Sequence, residues 1–284
     1  NVRLAQTNYG VCGQDVAKLQ AGLIFPRTNG LQYLFGSGLW VGGMVRVADE
    51  LAPRVLVTYE PLSGLSNAVP GELKNGRSPR PDLADEYAVQ RSFRNGAEVL
   101  SSVYHFGDTT RYTTSPRSLL PGLSDIEVRE RVYSFDAPLM SNTVIRTVEL
   151  VNTGVDTVFG FVLGCVMDPD VGNPQGQTQP AFFDRNRVET VDSRTHFYVA
   201  RDADDQVTGE FGFSVLDAPS ATDGLTIVGK SGFFLRTQHQ ERYEAMTSMI
   251  RLSDNESHDV MGLYAASGPS VFAPGDTLRY ATVF

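Results

Sequence analysis

The stretch NTVIRTVELVNTGVDTVFGFVLGCVM, Asn142 to Met167, contains two long β-forming runs separated by a short polar segment. Both runs are rich in Val, Thr and Phe or Ile, and their rough alternation of apolar and polar residues is typical of half-buried strands. Between the runs, Asn152, Thr153 and Gly154 supply residues that tolerate a turn with positive φ. The stretch therefore predicts two antiparallel strands joined as a β-hairpin.

Similar β-rich runs recur along the chain between turn residues, including RVLVTYE, EVLSSVYHF, THFYVA, GEFGFSVL and TLRYATVF. Helical periodicity is clear only between Gln238 and Leu252, where Tyr243, Met246 and Ile250 fall on one face. Many strands without interleaved helices favour antiparallel pairing, because parallel strands need helical crossovers. We therefore predict an all-β fold: a large, mostly antiparallel β-sandwich, jelly-roll-like or double, with one short helix near 238–252.

The length of 284 residues fits one large all-β domain. The segment Pro61–Leu83 is rich in Pro, Gly and Ser and is either a linker or a long surface loop. We expect a loop, because the residues before it are too few for a comfortable core of their own. The prediction is a single domain over 1–284, with 61–83 as a candidate subdomain boundary.

Composition and charge argue against two classes of partner. Hydrophobic residues make up 41% and charged residues 20% of the chain, as in folded globular proteins. A formal net charge of −9, without a basic cluster, is unsuited to nucleic acid, which is bound by concentrated Lys and Arg side chains. No apolar run approaches the roughly 18 residues of a membrane-spanning helix, so we expect no membrane insertion.

The chain has two cysteines, Cys12 and Cys165, too few for a disulfide scaffold and without a CxxC spacing. Two alternatives remain: a single disulfide between the two cysteines, or two inert free thiols. The only tryptophan, Trp40, lies between Leu39 and Val41 and is expected in the core rather than on a sugar-stacking surface.

Signatures of enzymes are weak in this sequence. The segment Gly224–Ser231, GLTIVGKS, matches the phosphate-loop pattern, but a turn cluster precedes it and a strand-like run follows, so we expect an ordinary β-turn and no nucleotide binding. The segment Gly64–Ala68, GLSNA, lacks the last glycine of a nucleophile elbow. The histidines form no HExxH motif, and no paired nucleophile accompanies them. We therefore expect no enzyme activity, no catalytic residue and no organic cofactor.

The stretch VMDPDVGN, Val166 to Asn173, places two carboxylates and an amide directly after a strand-like run. Glycine and glutamate are missing from the EF-hand positions, which excludes that motif. Calcium also binds oxygen ligands in irregular loops, so Asp168, Asp170, Asn173 and the more distant Asp184 are the candidate metal ligands. The alternatives are a turn whose aspartates bond their own backbone, which we favour, and an acid pair for catalysis, which neighbouring carboxylates suit poorly.

The motifs LFGSGLWVGG, VELVNTGVDTVFGFVLGCVMDPDVGN and GLYAASGPSVFAPGDTLRYATVF occur in that order over most of the chain. They resemble the β-rich region of large uncharacterised secreted proteins of bacteria that use type IX secretion. The shared motifs are structural, and the resemblance implies export and a cell-surface or extracellular role. The N-terminus, which lacks an initiator Met and a signal peptide, is likewise expected to be processed.

We therefore expect an exported structural or adhesive β-sandwich protein, a subunit of a surface array or fibre. The alternative is a carbohydrate-binding module or accessory region of a secreted hydrolase, with a surface glycan as its ligand. Both chain ends, NVRLAQTN and TLRYATVF, read as strands, and strands at a sheet edge can pair with another molecule. Self-assembly through the terminal strands is the corresponding expectation.

Overall fold

The computed structural model describes residues 2–18, 20–28, 30–47, 49–60, 66–71, 88–106, 123, 125–172, 184–190, 196–202, 209–217, 223–229, 239–247, 260–267 and 271–284. For residues 184–186, 190, 196, 223–229 and 260–267 the description is limited to the backbone. These parts of the chain are mostly β-strand, and they contain one helix, α1 (His239–Thr247).

Eight strands form sheet 1. In spatial order they are β1 (Arg3–Leu4), β4 (Leu23–Phe25), β5 (Leu31–Val47), β12 (Val158–Pro169), β17 (Val260–Ser267) and β16 (Asp223–Gly229), with β6 (Glu50–Val57) beside β5 and β18 (Val271–Phe272) beside β12. Strands β2 (Gln14–Asp15) and β3 (Gln20–Ala21) pair separately. The long β5 is the central strand of this sheet, because β4, β6 and β12 all pair with it.

Nine strands form sheet 2. In spatial order they are β13 (Asp184–Thr190), β14 (His196–Asp202), β15 (Glu210–Asp217), β19 (Thr277–Val283), β11 (Val144–Asn152), β10 (Ile126–Phe135), β9 (Ala97–Phe106) and β7 (Ala68–Pro70), with β8 (Gln90–Arg94) also beside β9. The described strand pairs of both sheets are antiparallel.

The two sheets enclose one hydrophobic core. A single cluster of buried side chains includes Leu39 and Val166 from sheet 1 together with Val148 and Tyr280 from sheet 2. In β11 every second residue is buried, as expected for a strand with one face on the core. The predicted all-β, antiparallel sandwich is confirmed.

The predicted hairpin between Asn142 and Met167 is wrong. Strand β11 pairs with β10 and β19, whereas β12 pairs with β5, β17 and β18, so the two runs belong to opposite sheets. The physical reason is visible in their burial: β11 alternates, but β12 is buried at nearly every position and needs cover on both faces. Asn152 stabilises the connection from β11 in sheet 2 to β12 in sheet 1, since its Nδ2 donates to the backbone oxygens of Asp156 and Phe272, each at 3.0 Å.

The helix lies where the periodicity predicts it. It covers His239–Thr247, and residues 238 and 248–252 of the predicted span lie outside the described residues. The helix contacts β6, β12 and β17 of sheet 1, and Arg242, Ala245 and Met246 are its buried residues. Sheet 1 is therefore covered by sheet 2 on one face and by α1 on part of the other.

The described part of the phosphate-loop match, Gly224 to Gly229, lies in a strand and not in the β-turn that we expected, and residues 230 and 231 lie outside the described residues. Residues Asp223–Gly229 form β16, and each of them pairs with a residue of β17. Such a ladder is unlike a loop whose amides converge on a phosphate. Of the predicted loop Pro61–Leu83, the described part includes β7, which pairs with β9 in sheet 2; the remainder lies outside the described residues.

Both chain ends are paired inside the protein. Strand β19 lies between β11 and β15, and β1 pairs with β4. The ring of Phe284 packs against Phe211 and Phe213, with centroids 6.1 and 5.5 Å apart. This pairing leaves no open edge on β19 for the self-assembly that we predicted through the terminal strands.

Candidate functional site

Two of the predicted metal ligands, Asp168 and Asp170, lie together at the end of β12 in sheet 1. Asp168 is buried near the end of β12, and Asp170 follows the strand. Asn173 lies outside the described residues, as does the side chain of Asp184, whose backbone begins β13 in sheet 2. The chain after β12 is tied to β5 by backbone bonds, from Asp170 N to Tyr33 O at 3.3 Å and from Gly172 N to Gln32 O at 3.0 Å.

Asp168 sits beside the buried ring of Tyr59. Its partner across the sheet is Gly36, where a Cβ would come within 2.5 Å of the Tyr59 hydroxyl, so the ring occupies the space that glycine leaves. Burial raises the pKa of Tyr59 well above its ordinary value, and the carboxylates of Asp168, Asp170 and Glu60 add to the increase. These carboxylates therefore help to keep the phenol neutral.

No group of three or more His, Cys, Asp or Glu side chains in the described part of the chain is arranged to hold a metal ion. With Asn173 and the Asp184 side chain outside that part, the calcium site stays a prediction.

Trp40 is a core residue, as predicted. Its side chain is fully buried, and the indole Nε1 donates to the backbone oxygen of Tyr59 at 3.1 Å. The guanidinium of Arg242 on α1 lies 5.4 Å from the centre of the indole ring, in the range of a cation–π contact. The indole is therefore buried inside the protein and is not available for stacking on a sugar.

The centre of the sandwich holds an ion pair that the sequence analysis missed. Arg146 on β11 donates from Nε to Glu130 Oε1 at 2.8 Å and from Nη2 to Glu130 Oε2 at 3.0 Å. Neither side chain is exposed. Burial alone would lower the pKa of Arg146, but the Glu130 carboxylate raises it well above its ordinary value. The pair is thus charged and enclosed by protein.

Further hydrogen bonds complete this ion pair. The Tyr104 hydroxyl donates to Glu130 Oε2 at 2.8 Å, and Gln6 Nε2 donates to Glu130 Oε1 at 3.2 Å. Arg146 Nη2 also donates to the backbone oxygen of Gly10 at 3.3 Å. Gly10 has a φ of 84°, and a Cβ there would lie 2.5 Å from the Tyr104 hydroxyl, so this approach requires glycine. The network therefore fixes the N-terminal segment against sheet 2.

The two cysteines flank this network as free thiols. Cys12 exchanges backbone hydrogen bonds with Ser37 on one side of β5, whereas Cys165 belongs to β12 on the other side. Their backbones are therefore about two strand spacings apart, on the order of 9 Å, beyond the roughly 7 Å limit for a disulfide. Burial raises the pKa of Cys12 to about 12 and also raises that of Cys165. The inert-thiol interpretation is the one that this structure supports.

A pattern in the sequence does point to the buried ion pair. In VIRTVELVN the inward positions of β11 are Val144, Arg146, Val148 and Leu150, and in IEVRERVY the inward series of β10 includes Val128, Glu130 and Val132. A charged residue in an otherwise apolar inward series is costly to bury unless an opposite charge meets it. Two such residues of opposite sign on neighbouring strands predict a pair.

The outer face of sheet 2 carries a polar trough of about 290 Å³. We define the outer trough by the following lining residues: Arg129, Arg131, Tyr133, Thr147, Glu149, Asp217, Arg279 and Ala281. An apolar cleft of about 220 Å³ lies elsewhere, between residues of the two sheets, and is lined by Phe25, Tyr33, Phe211 and Phe284 among others.

The outer edge of β6 is closed by side chains from elsewhere in the chain. Pro53 has no N–H to offer. His239 Nδ1 lies 3.1 Å from the nitrogen and 2.9 Å from the oxygen of Val55. Asn67 accepts from Val57 N through Oδ1 at 3.0 Å and donates its own N–H to Val57 O at 2.7 Å. Another strand is therefore prevented from pairing along most of this edge.

Strand β8 has a more open edge. It forms a hairpin with β9 through Asn95 and Gly96, whose φ values of 49° and 77° are those of a type I′ turn. Among the described residues no strand pairs with its other side. Because bonded and non-bonded pairs alternate from such a turn, the N–H and C=O groups of Arg91 and Phe93 point away from β9. The Phe93 side chain is 76% exposed.

No helix in the described part of the chain has the length and apolar character needed to span a bilayer. In comparisons with known proteins, no family model matches this chain and no curated protein is significantly similar to it.

Proposed function

We propose that the chain is a structural and adhesive β-sandwich unit that works outside the cell and associates with further copies into an array or fibre. The observation that carries the proposal is the contrast between two strand edges. The β6 edge is closed by Pro53, Asn67 and His239, whereas β8 presents backbone groups and the exposed Phe93 ring. Association through β8 would extend sheet 2 from one copy into the next.

The edges formed by β1, β7 and β13 are less suited to this role. Strand β1 has two residues, and β7 has three and includes Pro70. On β13, Arg187 is paired with Glu189 at 2.6 Å and with Glu210 of β15 at 3.0 Å. Charged residues along an edge strand oppose pairing with another chain. Strand β8 also carries Arg91, but its charge is paired with Glu98 of β9 at 2.8 Å.

The buried interior of the sandwich suits a structural subunit that bears mechanical load. The Arg146–Glu130 pair and its partners link β9, β10 and β11 to the N-terminal segment. A buried hydrogen-bonded ion pair restricts how the strands around it can be arranged, because its donors and acceptors must stay paired. A rigid unit of this kind loses little conformational entropy when it associates.

The test is sedimentation velocity over a concentration series of the full chain. We expect larger species at high concentration in the parent protein and loss of these species in Phe93→Lys, because a charge on the edge disfavours strand pairing. Leu139→Lys is the matched control: Leu139 is 94% exposed but lies in the turn between β10 and β11. A parent protein that stays monomeric, or two variants that behave alike, would contradict the proposal.

The alternative function, a carbohydrate-binding module, is favoured by one separate observation, the outer trough with its polar side chains. Binding of a glycan in this trough does not require association between copies. Glycan binding by a chain that shows no self-association would therefore favour this second function over an array subunit.

A further inference from the structure

The outer trough has a flat floor and taller walls. Thr147 of β11 and Ala281 of β19 are direct neighbours across the strands, and both side chains are small. Longer side chains rise beside them: Tyr133 on one side, Glu149 and Arg279 on the other. The alternation of small and long residues on three neighbouring strands creates the trough.

One wall of the trough is held together by ion pairs. Glu149 lies between two arginines, with its Oε1 3.2 Å from Arg129 Nη1 and its Oε2 3.2 Å from Arg279 Nε. Arg129 is also bonded to Glu127 at 2.9 Å. These charges are mutually compensated, so the wall is positioned without a ligand.

Arg131 differs from the other arginines of the trough. Its neighbours across the strands are Thr147 and Ser101, neither of which is charged. Within the described residues Arg131 forms no hydrogen bond or ion pair, and it is exposed. A free guanidinium presents paired N–H donors that match the two oxygens of a carboxylate.

The rest of the trough offers the groups that bind sugars. The Tyr133 ring gives an apolar face, the Thr147 hydroxyl gives both a donor and an acceptor, and Asp217 gives carboxylate acceptors. Asp217 is the partner of Ala281 on β15, so it lies three strands away from Arg131. Three strand spacings are about 14 Å, longer than one sugar ring.

We propose that the outer trough binds an acidic glycan of at least two sugar units, with its carboxylate held by Arg131 and hydroxyl groups held by Thr147 and Asp217. Arg131 is the one arginine of the trough lining that no described residue pairs, so it offers an uncompensated positive charge to a carboxylate on a chain with a formal net charge of −9. The inference deepens the carbohydrate-binding alternative and is independent of association through β8.

The experiment is calorimetric titration of the full chain with matched pairs of glycans. One pair is a trimer of galacturonic acid and its neutral methyl ester, and the other is sialylated lactose and lactose. We expect at least one acidic member to bind, and its neutral partner to bind at least about tenfold more weakly, because a two-point charged hydrogen bond is lost. Arg131→Ala should lower the affinity to a similar extent, and Arg131→Lys by less.

Two further variants separate the trough from general charge effects. Thr147→Tyr should block binding by filling the floor while leaving every charge in place. Arg94→Ala removes an exposed arginine from the β8 strand, outside the trough, and should bind as the parent does. The proposal is overturned if neither acidic glycan binds, if the neutral partner binds equally well, or if Arg131→Ala retains the parent affinity. Phe93→Lys, which tests association, should leave glycan binding unchanged.

Discussion

Arg146 and Glu130 form a two-point ion pair with donor–acceptor distances of 2.8 and 3.0 Å and no solvent exposure on either side chain. The two residues are diagonal neighbours on β11 and β10, since Arg146 is opposite Val132 and Glu130 is opposite Val148. Burying both charges is expensive, and the attraction between them offsets the cost only while both are present. The contribution of each side chain to stability therefore depends on the presence of the other.

The first prediction concerns removal of one half of this pair. Arg146→Met leaves the buried Glu130 carboxyl without its partner, so we expect a loss of about 3–5 kcal/mol in the free energy of unfolding, measured by urea denaturation. The double variant Arg146→Met with Glu130→Leu should lose less than Arg146→Met, because no unpaired charge remains.

Arg129→Met is the control for this experiment. Arg129 also bonds to carboxylates, but its side chain is 51% exposed, so we expect a loss of no more than about 1 kcal/mol. Equal losses in Arg129→Met and Arg146→Met would show that burial of the central pair has no energetic consequence.

The second prediction is a loss of stability at alkaline pH. Folding raises the pKa of Cys12 from 9.0 to about 12, so above pH 9 the unfolded chain releases a proton that the folded chain retains. Stability from this group is full below pH 9, falls by about 1.4 kcal/mol per pH unit above it, and stops falling near pH 12. Cys165 and Tyr104, whose pKa values are also raised by burial, act in the same direction.

Urea denaturation at pH 8 to 10.5 measures this dependence. In Cys12→Ala the decline with pH should be shallower than in the parent chain, whatever the cavity does to stability at pH 8. Parallel declines in the two proteins would contradict the raised pKa of Cys12.

The third prediction is that Cys12 and Cys165 remain free thiols. Strand β5 separates them, and both are buried, so a thiol reagent such as Ellman's reagent should find no reactive thiol in the folded protein and two after denaturation. The mass of the protein should also be unchanged by a reducing agent. Absence of thiols in the denatured, unreduced chain would mean that a disulfide had formed.

The fourth prediction concerns the turn after β12. The backbone bonds of Asp170 and Gly172 to β5 hold this turn without an ion, so the turn interpretation predicts identical melting curves in calcium and in a chelator. A ligand that binds the folded state must raise the melting temperature. A higher melting temperature in calcium that Asp170→Asn abolishes would establish the calcium site instead.

The sequence predicts the strands of this fold better than their partners. Alternation identifies β11 and β19, but β19 pairs with β11 across more than 120 residues of chain, and no local pattern reveals such a partner. The clear signal at 142–167 therefore predicts a hairpin that does not form. The Asn95-Gly96 dipeptide is a stronger hairpin signal, and it does join two paired strands.

The candidate sites, like the strands, are predictable from the sequence only where their residues are close together in the chain. Polar residues in a turn, such as Asp168 and Asp170, attract notice in a sequence because they are close together in the chain. Arg146 and Glu130 lie on separate strands, and the outer trough draws on four strands, so folding alone brings their members together. The alternation along each strand nevertheless predicts which residues point inward and which point outward. This alternation indicates both the buried ion pair and the outer trough.

The central claim is that copies join through β8, and hydrogen–deuterium exchange of the β8 amides at low and high protein concentration tests it most directly. We predict that the amides of Arg91 and Phe93 exchange rapidly in dilute protein and more slowly in concentrated protein, because a second strand then accepts their hydrogen bonds. The same exchange rate of these two amides at both concentrations, with larger species present, would contradict the account.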